Sequence, residues 1–273
     1  MRFFDVTHLG RSFLPQREPT HRSIVLIAFG TAIVALGIDP SNPADAARAA
    51  LGVGAAWTLA REIDPDRPAS ATAAGYLTAV TSLWLGPPAA GPVFLTMITA
   101  RILSRSTGLS PKGTDLAVVV VGALTVAGTP WGWAAGIVLA FALVRDATLS
   151  GPPAPAVGVW AIVTAVGVTG RVVVAGTLGA WTAPSPGQSA VVVAGLIADF
   201  FLSRPETVSS PADATREPLD PVRIRHARLF SIAPAIIGFA ASGGAAVVAL
   251  APLWLAALST VVVRRGMRGI GPA

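Results

Sequence analysis

The chain has 273 residues, 53% of them hydrophobic and only 12% charged, with a mean hydropathy of +0.66 and a formal net charge of +6. Charged residues make up about a quarter of ordinary soluble domains, so this composition is that of an integral membrane protein. There is no cysteine, which excludes disulfides, thiolate metal sites and cysteine nucleophiles. The positive charge falls between apolar runs and not along a polar stripe with interleaved aromatics, which argues against a nucleic-acid partner.

In chain order, residues 1–22 carry Arg2, Arg11, Arg17 and Arg22 and read as a cytoplasmic N-terminal segment. The first apolar run, 23–38, is followed by Asp39-Pro40-Ser41-Asn42-Pro43 and lacks the small-residue cleavage site of a secretory signal. It is therefore expected to stay as a first span. Further apolar segments follow near 44–61, 69–86, 89–104, 115–129, 131–147, 156–182, 187–203, 229–243 and 245–263, each close to the ~20 residues that cross a bilayer as a helix. Gly- and Pro-rich punctuation at 86–92, 128–132 and 183–187 marks tight turns between neighbours.

The basic residues give an independent check, because cytoplasmic loops retain Lys and Arg. Alternate connections hold Arg61 and Arg67; Arg101, Arg105 and Lys112; Arg145; Arg204 to Arg228; and Arg264, Arg265 and Arg268. The intervening turns at 39–43, 86–92, 128–131, 183–187 and 242–244 hold none. The expected fold class is all-α: a polytopic integral membrane helical bundle of about ten transmembrane helices arranged as five hairpins, in the cell membrane with both termini cytoplasmic. A single transmembrane domain covers 23–264, with a long flexible inner loop at 204–228 and a cytoplasmic tail at 265–273. Eight spans is the alternative, because 115–129 and 229–243 are short. The runs lack the period-2 alternation of barrel strands. The five basic hairpin exits read either as a diverged internal repeat or as the charge rule met five times.

Small residues inside the runs, including the Gly132/Gly136 pair and Gly243-Gly244, suit close helix packing in lipid. The seven tryptophans mostly fall near run ends and are expected to anchor in the headgroup zone.

Arg171 is the most unusual position. It lies about 14 residues into the run 156–182, roughly 20 Å along a helix, where an arginine is costly and marks a substrate pathway by default; Asp199 is its expected structural partner and the second pathway candidate. Arg48, near the start of the second run, reads as snorkelling. The stretch Arg61-Glu-Ile-Asp-Pro-Asp-Arg67 concentrates five charges. Asp64 and Asp66 are the candidate metal ligands for a Mg2+ ion carrying a substrate phosphate, and Arg61, Arg101, Arg105 and Arg145 the candidate phosphate clamps. Asp115, Asp146 and Asp199 complete the outline of a site for a phosphorylated lipid. The competing reading of the stretch is a solvated helix exit stopped by its prolines. The aspartate motifs of membrane prenyltransferases and CDP-alcohol phosphotransferases are absent.

The leading expectation is a transporter or permease-like protein for a small solute or lipid. The alternatives are a Mg2+-dependent enzyme on a lipid-linked phosphate, and a non-catalytic membrane subunit or scaffold. The expected partners are the lipid bilayer and a second copy or partner membrane subunit.

Overall fold

Proline sets the starts of this fold. In a computed structural model, six of the eleven described helices begin at a proline, whose missing N–H costs nothing in a first helical turn. The structure describes residues 7–9, 19–149, 155–176, 180–204 and 207–269; Arg2, Arg11, Arg17 and the end of the expected tail lie outside them. The helices are α1 (Pro19–Ile38), α2 (Pro43–Ile63), α3 (Pro68–Leu85), α4 (Ala90–Ser104), α5 (Gly113–Ala127), α6 (Gly132–Leu149), α7 (Pro155–Ala175), α8 (Pro186–Leu202), α9 (Pro221–Ser242), α10 (Gly244–Ala249) and α11 (Ala251–Gly269). Among the described residues there is no strand, only two isolated bridges. Several starts are capped in the ordinary way: the side chains of Asn42, Ser185 and Asp220 accept from the first-turn amides of α2, α8 and α9.

Three helical stretches, His21–Ile38, Gly132–Leu149 and Val157–Ala175, are long and apolar enough to cross a membrane. Their outward faces are apolar: Leu26, Phe29, Val173 and Val174 are all exposed. Exposed apolar side chains on helices of this length and composition fit a protein associated with a membrane. Five of the other helices fall short for one of two physical reasons. α4 and α5 have 15 residues each, about 22 Å of helix against a ~30 Å hydrocarbon core. α2, α9 and α11 carry charge inside their helical limits.

The ten apolar runs each coincide with a helix, with three differences. The run 156–182 stops as a helix at Ala175, because Gly176 takes φ +60. α9 starts eight residues before the run at 229, drawing Arg223, Arg225 and Arg228 into helix. The last run is broken at Leu250 into α10 and α11, with Pro252 following, a residue that tolerates only a new first turn.

Hydrogen bonds define the two ends of the bundle. At the uncharged end Thr182 N–H donates to Ser242 O (3.1 Å), Gly244 N–H to Thr182 O (2.9 Å) and Ala89 N–H to Ala249 O (2.8 Å). Gly243 sits at φ +67 with its Cα so close to Thr182 O that a Cβ would collide with it. At the charged end the connections after α2, α4 and α8 meet α9 and the end of α11.

Two cores fill the space between. One joins α2, α3, α9 and α11 around Leu59, Ile63, Ile232 and the fully buried Trp254; the other joins α4 to α7 around Ile102, Leu139, Leu143 and Val168. Glycine permits the closest approaches: Gly136 on α6 faces Val168 on α7, and Gly195 on α8 faces the Trp254 ring.

Gly195→Ala is expected to destabilise the protein by about 1–3 kcal/mol through overpacking against that ring. Gly170→Ala, whose Cβ meets nothing within 4 Å, should leave the thermal midpoint in detergent unchanged or raised.

Candidate functional site

The site grows from the exit of α2. Glu62, Ile63 and Asp64 are buried, Glu62 and Asp64 at 1% exposure each. An ionised carboxylate at that depth must be paired and hydrogen-bonded to remain charged. Glu62 accepts from Arg101 Nε (3.0 Å) and from Ser104 Oγ (3.1 Å), both on α4. Asp64 Oδ1 accepts from Arg67 (3.1 Å) and from Arg264 on α11 (2.8 Å), while its Oδ2 is buried with no hydrogen-bond partner among the described residues. Arg228 on α9, 2% exposed, donates from Nε to Ile63 O at 2.7 Å.

Beside this group, Asp146 on α6 receives two parallel bonds from Arg105, Nε to Oδ1 and Nη2 to Oδ2, both 3.1 Å. This two-pronged geometry is the strong form of the arginine–carboxylate pair. Arg223 on α9 adds a third, 2.6 Å from Oδ1, and also donates to Leu103 O at 3.3 Å. Arg105 reaches Asp146 from a left-handed backbone (φ 46) that ends α4. The charged end is thus a network linking α2, α4, α6, α9 and α11.

A strap and a lid cover it. Asp115, in the first turn of α5, accepts from Thr7 Oγ1 (2.6 Å), His8 N–H (3.1 Å) and Lys112 N–H (3.0 Å); Thr107 Oγ1 and Arg101 donate to the His8 and Leu9 carbonyls. Residues 207–220 form the lid. Ala212 N–H donates to Glu217 O, Leu219 N–H to Ser210 O, and Asp213 and Ala214 N–H to Ser106 and Thr107 O, while Ala212 and Leu219 are buried on Ile224. Asp66 clasps the lid by accepting from Ser209 N–H (3.0 Å) and Ser210 N–H (2.7 Å). Burial pushes the Asp66 carboxyl up, but the hydrogen bonds from Ser210 and Ser209 outweigh it and hold the group below its ordinary 3.8.

The sequence expectations are partly rearranged by this geometry. The stretch 61–67 is no solvated exit: Glu62 and Asp64 lie inside the bundle, bound by Arg101 and Arg264 from two other helices and by Arg67, while Asp66 is partly exposed and bonds the lid. Asp64 and Asp66 face different partners, and among the described residues no group of three or more His, Asp or Glu is placed to hold a metal. Arg101 and Arg105 bind carboxylates, Arg61 is half-buried at the end of α2, and Arg145 donates to Thr148 on its own helix (3.1 Å). Of the 204–228 segment, expected to be flexible, the described residues 207–228 are a folded lid followed by helix. Arg48 pairs with Asp45 one turn back.

Arg171 is one turn from the end of α7, exposed, with its guanidinium against Gly128 at the C-terminus of α5, where a cation meets the free carbonyls of a helix end. It is not mid-helix, because the run it was placed in stops at Gly176. Asp199 lies at the other end of the bundle, close to Phe201, over which Arg204 and Arg265 stack, so the expected pairing of Arg171 with Asp199 does not form. Asp199 Oδ1 is buried with no hydrogen-bond partner among the described residues.

Sequence reasoning missed Glu62, Arg223, Arg228 and Arg264 as partners, because their pairing joins positions up to 200 residues apart. It also took Trp57 and Trp254 for interfacial anchors, whereas both are buried and only Trp84 and Trp181 among the exposed large residues fit that role. The chain matches no protein-family model, no curated protein and no solved structure.

Two outcomes check this site. Asp146→Ala removes the buried carboxylate that Arg105 and Arg223 share and should destabilise the protein by about 3–5 kcal/mol, read as a lowered unfolding midpoint. For the lid, the Asp66 carboxyl is depressed in the folded state, so its contribution is complete above the ordinary 3.8 and is lost as pH falls through the folded value. Hydrogen exchange of the Ser209 and Ser210 amides, corrected for intrinsic rate, should lose protection below that pH and at all pH values in Asp66→Asn.

Proposed function

We propose that this chain is a membrane transporter or permease-like protein for a small solute or lipid, with about ten spans in five hairpins and both termini on the cytoplasmic side. The observation that carries the reading is the asymmetry of the bundle. One end is tied shut by Glu62–Arg101, Asp64–Arg264 and Asp146–Arg105/Arg223, and the other has a cleft beside the broken helix α10–α11.

Buried ion pairs of this kind roughly break even against well-packed apolar residues, so stability alone is a weak reason for them. Interface salt bridges that repack between two discrete arrangements are, by contrast, a recurrent device of switching proteins. Broken helices at membrane depth occur where backbone lines a cavity. In this reading the ion pairs are the inner gate, Asp199 lies on the path below it, and Arg171 stands at the outer rim. Short helices such as α4 and α5 are then spans of a bundle that thins the bilayer locally, as short hydrophobic segments do.

The absence of cysteine makes the test direct. Thr99→Cys, on α4 behind the ion pairs and fully buried, and Val247→Cys, in the cleft, are labelled with a membrane-impermeant maleimide in proteoliposomes. Adding Asp146→Asn should raise labelling of Thr99→Cys several-fold and lower that of Val247→Cys, since a two-state equilibrium moves both ends in opposite directions. Rates that change independently, or not at all, rule out the gate.

A further inference from the structure

The arginines of the charged end fall into two sets. Arg101, Arg105, Arg223 and Arg264 are committed to buried carboxylates, whereas Arg204, just past the end of α8, and Arg265, near the end of α11, are exposed and pair with no acid among the described residues. Both are gathered on one ring instead: their guanidinium carbons lie 4.9 Å and 4.2 Å from the centroid of Phe201, and Arg204 also stands 5.0 Å from that of Phe200. A cation–π contact places a guanidinium but leaves its N–H donors open. Asp199, one turn before the end of α8, has its Oδ1 buried and bonds neither of them. Two like charges held on one ring repel, and an anion beside them relieves that repulsion.

The same two arginines end outward-facing apolar stripes. On α8 the exposed Val193, Ile197 and Phe200 recur at helical spacing and lead up to Arg204; on α11 the exposed Val262 stands one turn before Arg265. The surface is therefore apolar along the helices and doubly cationic at their ends, which matches a lipid in both chemistry and order: acyl chain first, phosphate last. Because no described acid is placed there to meet an ammonium group, the charges fit a headgroup of net negative charge and not a zwitterionic one. We propose that Arg204 and Arg265, held on Phe201, form a site for an anionic phospholipid, its phosphate accepting from both guanidiniums and its acyl chain lying along Val193, Ile197 and Phe200. Arginine is the side chain suited to this, since its planar fork of N–H donors matches phosphate oxygens. The site requires the α8 and α11 face to meet lipid; neither gate nor flux enters it.

The experiment is native mass spectrometry of the detergent-solubilised full chain titrated with dioleoylphosphatidylglycerol, with the zwitterionic dioleoylphosphatidylcholine, and with soluble glycerol phosphate as competitor. The wild type should retain one phosphatidylglycerol in preference to phosphatidylcholine. Arg204→Gln and Arg265→Gln should each weaken that preference about fivefold, the contribution of one basic residue at an anionic lipid surface, and the pair together should remove it. Arg225→Gln, an exposed arginine of the same end that lies on no ring, makes the same change in net charge and should leave the preference intact. In the wild type the preference should also fall as ammonium acetate is raised, because exposed charges are screened by salt. Equal retention of the two lipids, a preference that survives in the double variant or is indifferent to salt, or an equal loss in Arg225→Gln overturns the proposal. Displacement of the lipid by glycerol phosphate at matched concentration overturns it too, replacing the phospholipid with a soluble phosphate. Opposed cysteine labelling that fails beside intact lipid preference would remove the gate and leave this site standing, and the reverse result would do the opposite.

Discussion

The fold hangs on the need to neutralise carboxylates inside an apolar bundle. Glu62, Asp64 and Asp146 are almost without solvent contact, and in such surroundings an unpaired charge costs several kcal/mol. Each therefore draws an arginine from a distant helix: Arg101 from α4, Arg264 from α11, Arg223 from α9. Because the acids sit on α2 and α6 and the bases on their neighbours, satisfying the charges also sets which helices are adjacent. The apolar cores around Leu59 and Leu139 supply attraction, but apolar surface is indifferent to partner; the ion pairs supply direction.

The same requirement explains the strap and the lid. Once the arginines are committed to carboxylates, the remaining backbone groups at that end still need partners. Thr7, His8 and Leu9 bond to Asp115, Ser110, Thr107 and Arg101, and the 207–220 segment bonds to Asp66, Ser106 and Thr107. A segment rich in proline and serine is thereby folded by contacts it makes with other loops. At the opposite end there is no charge to organise the turns, and the chain relies on direct backbone pairing of Thr182 with Ser242 and Gly244, on glycine where backbones touch, and on a break between α10 and α11 that leaves a cleft lined by Trp254.

Much of the helical layout was legible from periodic apolar runs and their proline boundaries, since a helix needs only local sequence to declare its length and start. Asn42-Pro43, Ser185-Pro186 and Asp220-Pro221 each pair a capping side chain with a first-turn proline, and all three begin helices where the runs begin or earlier. The alternation of charged and uncharged connections is likewise local. The gathering of the charged ones at one end follows from it, because antiparallel neighbours joined by short turns must bring alternate connections together.

What the sequence by itself determined, then, is an all-helical apolar chain whose helices follow its apolar runs, with most of its positive charge at or near alternate connections. Tertiary structure alone decided which charges meet. Arg171 and Asp199 looked like partners because both interrupt apolar runs, yet they lie at opposite ends; Asp64 and Asp66 looked like a pair because they are two residues apart, yet one faces Arg67 and Arg264 and the other the lid. Trp254 resembled an interfacial anchor until the packing of α8 buried it. The reason is the range of the interactions: helix starts and apolar faces depend on residues within a turn or two, whereas a buried charge or indole is defined by whichever distant helix is folded against it.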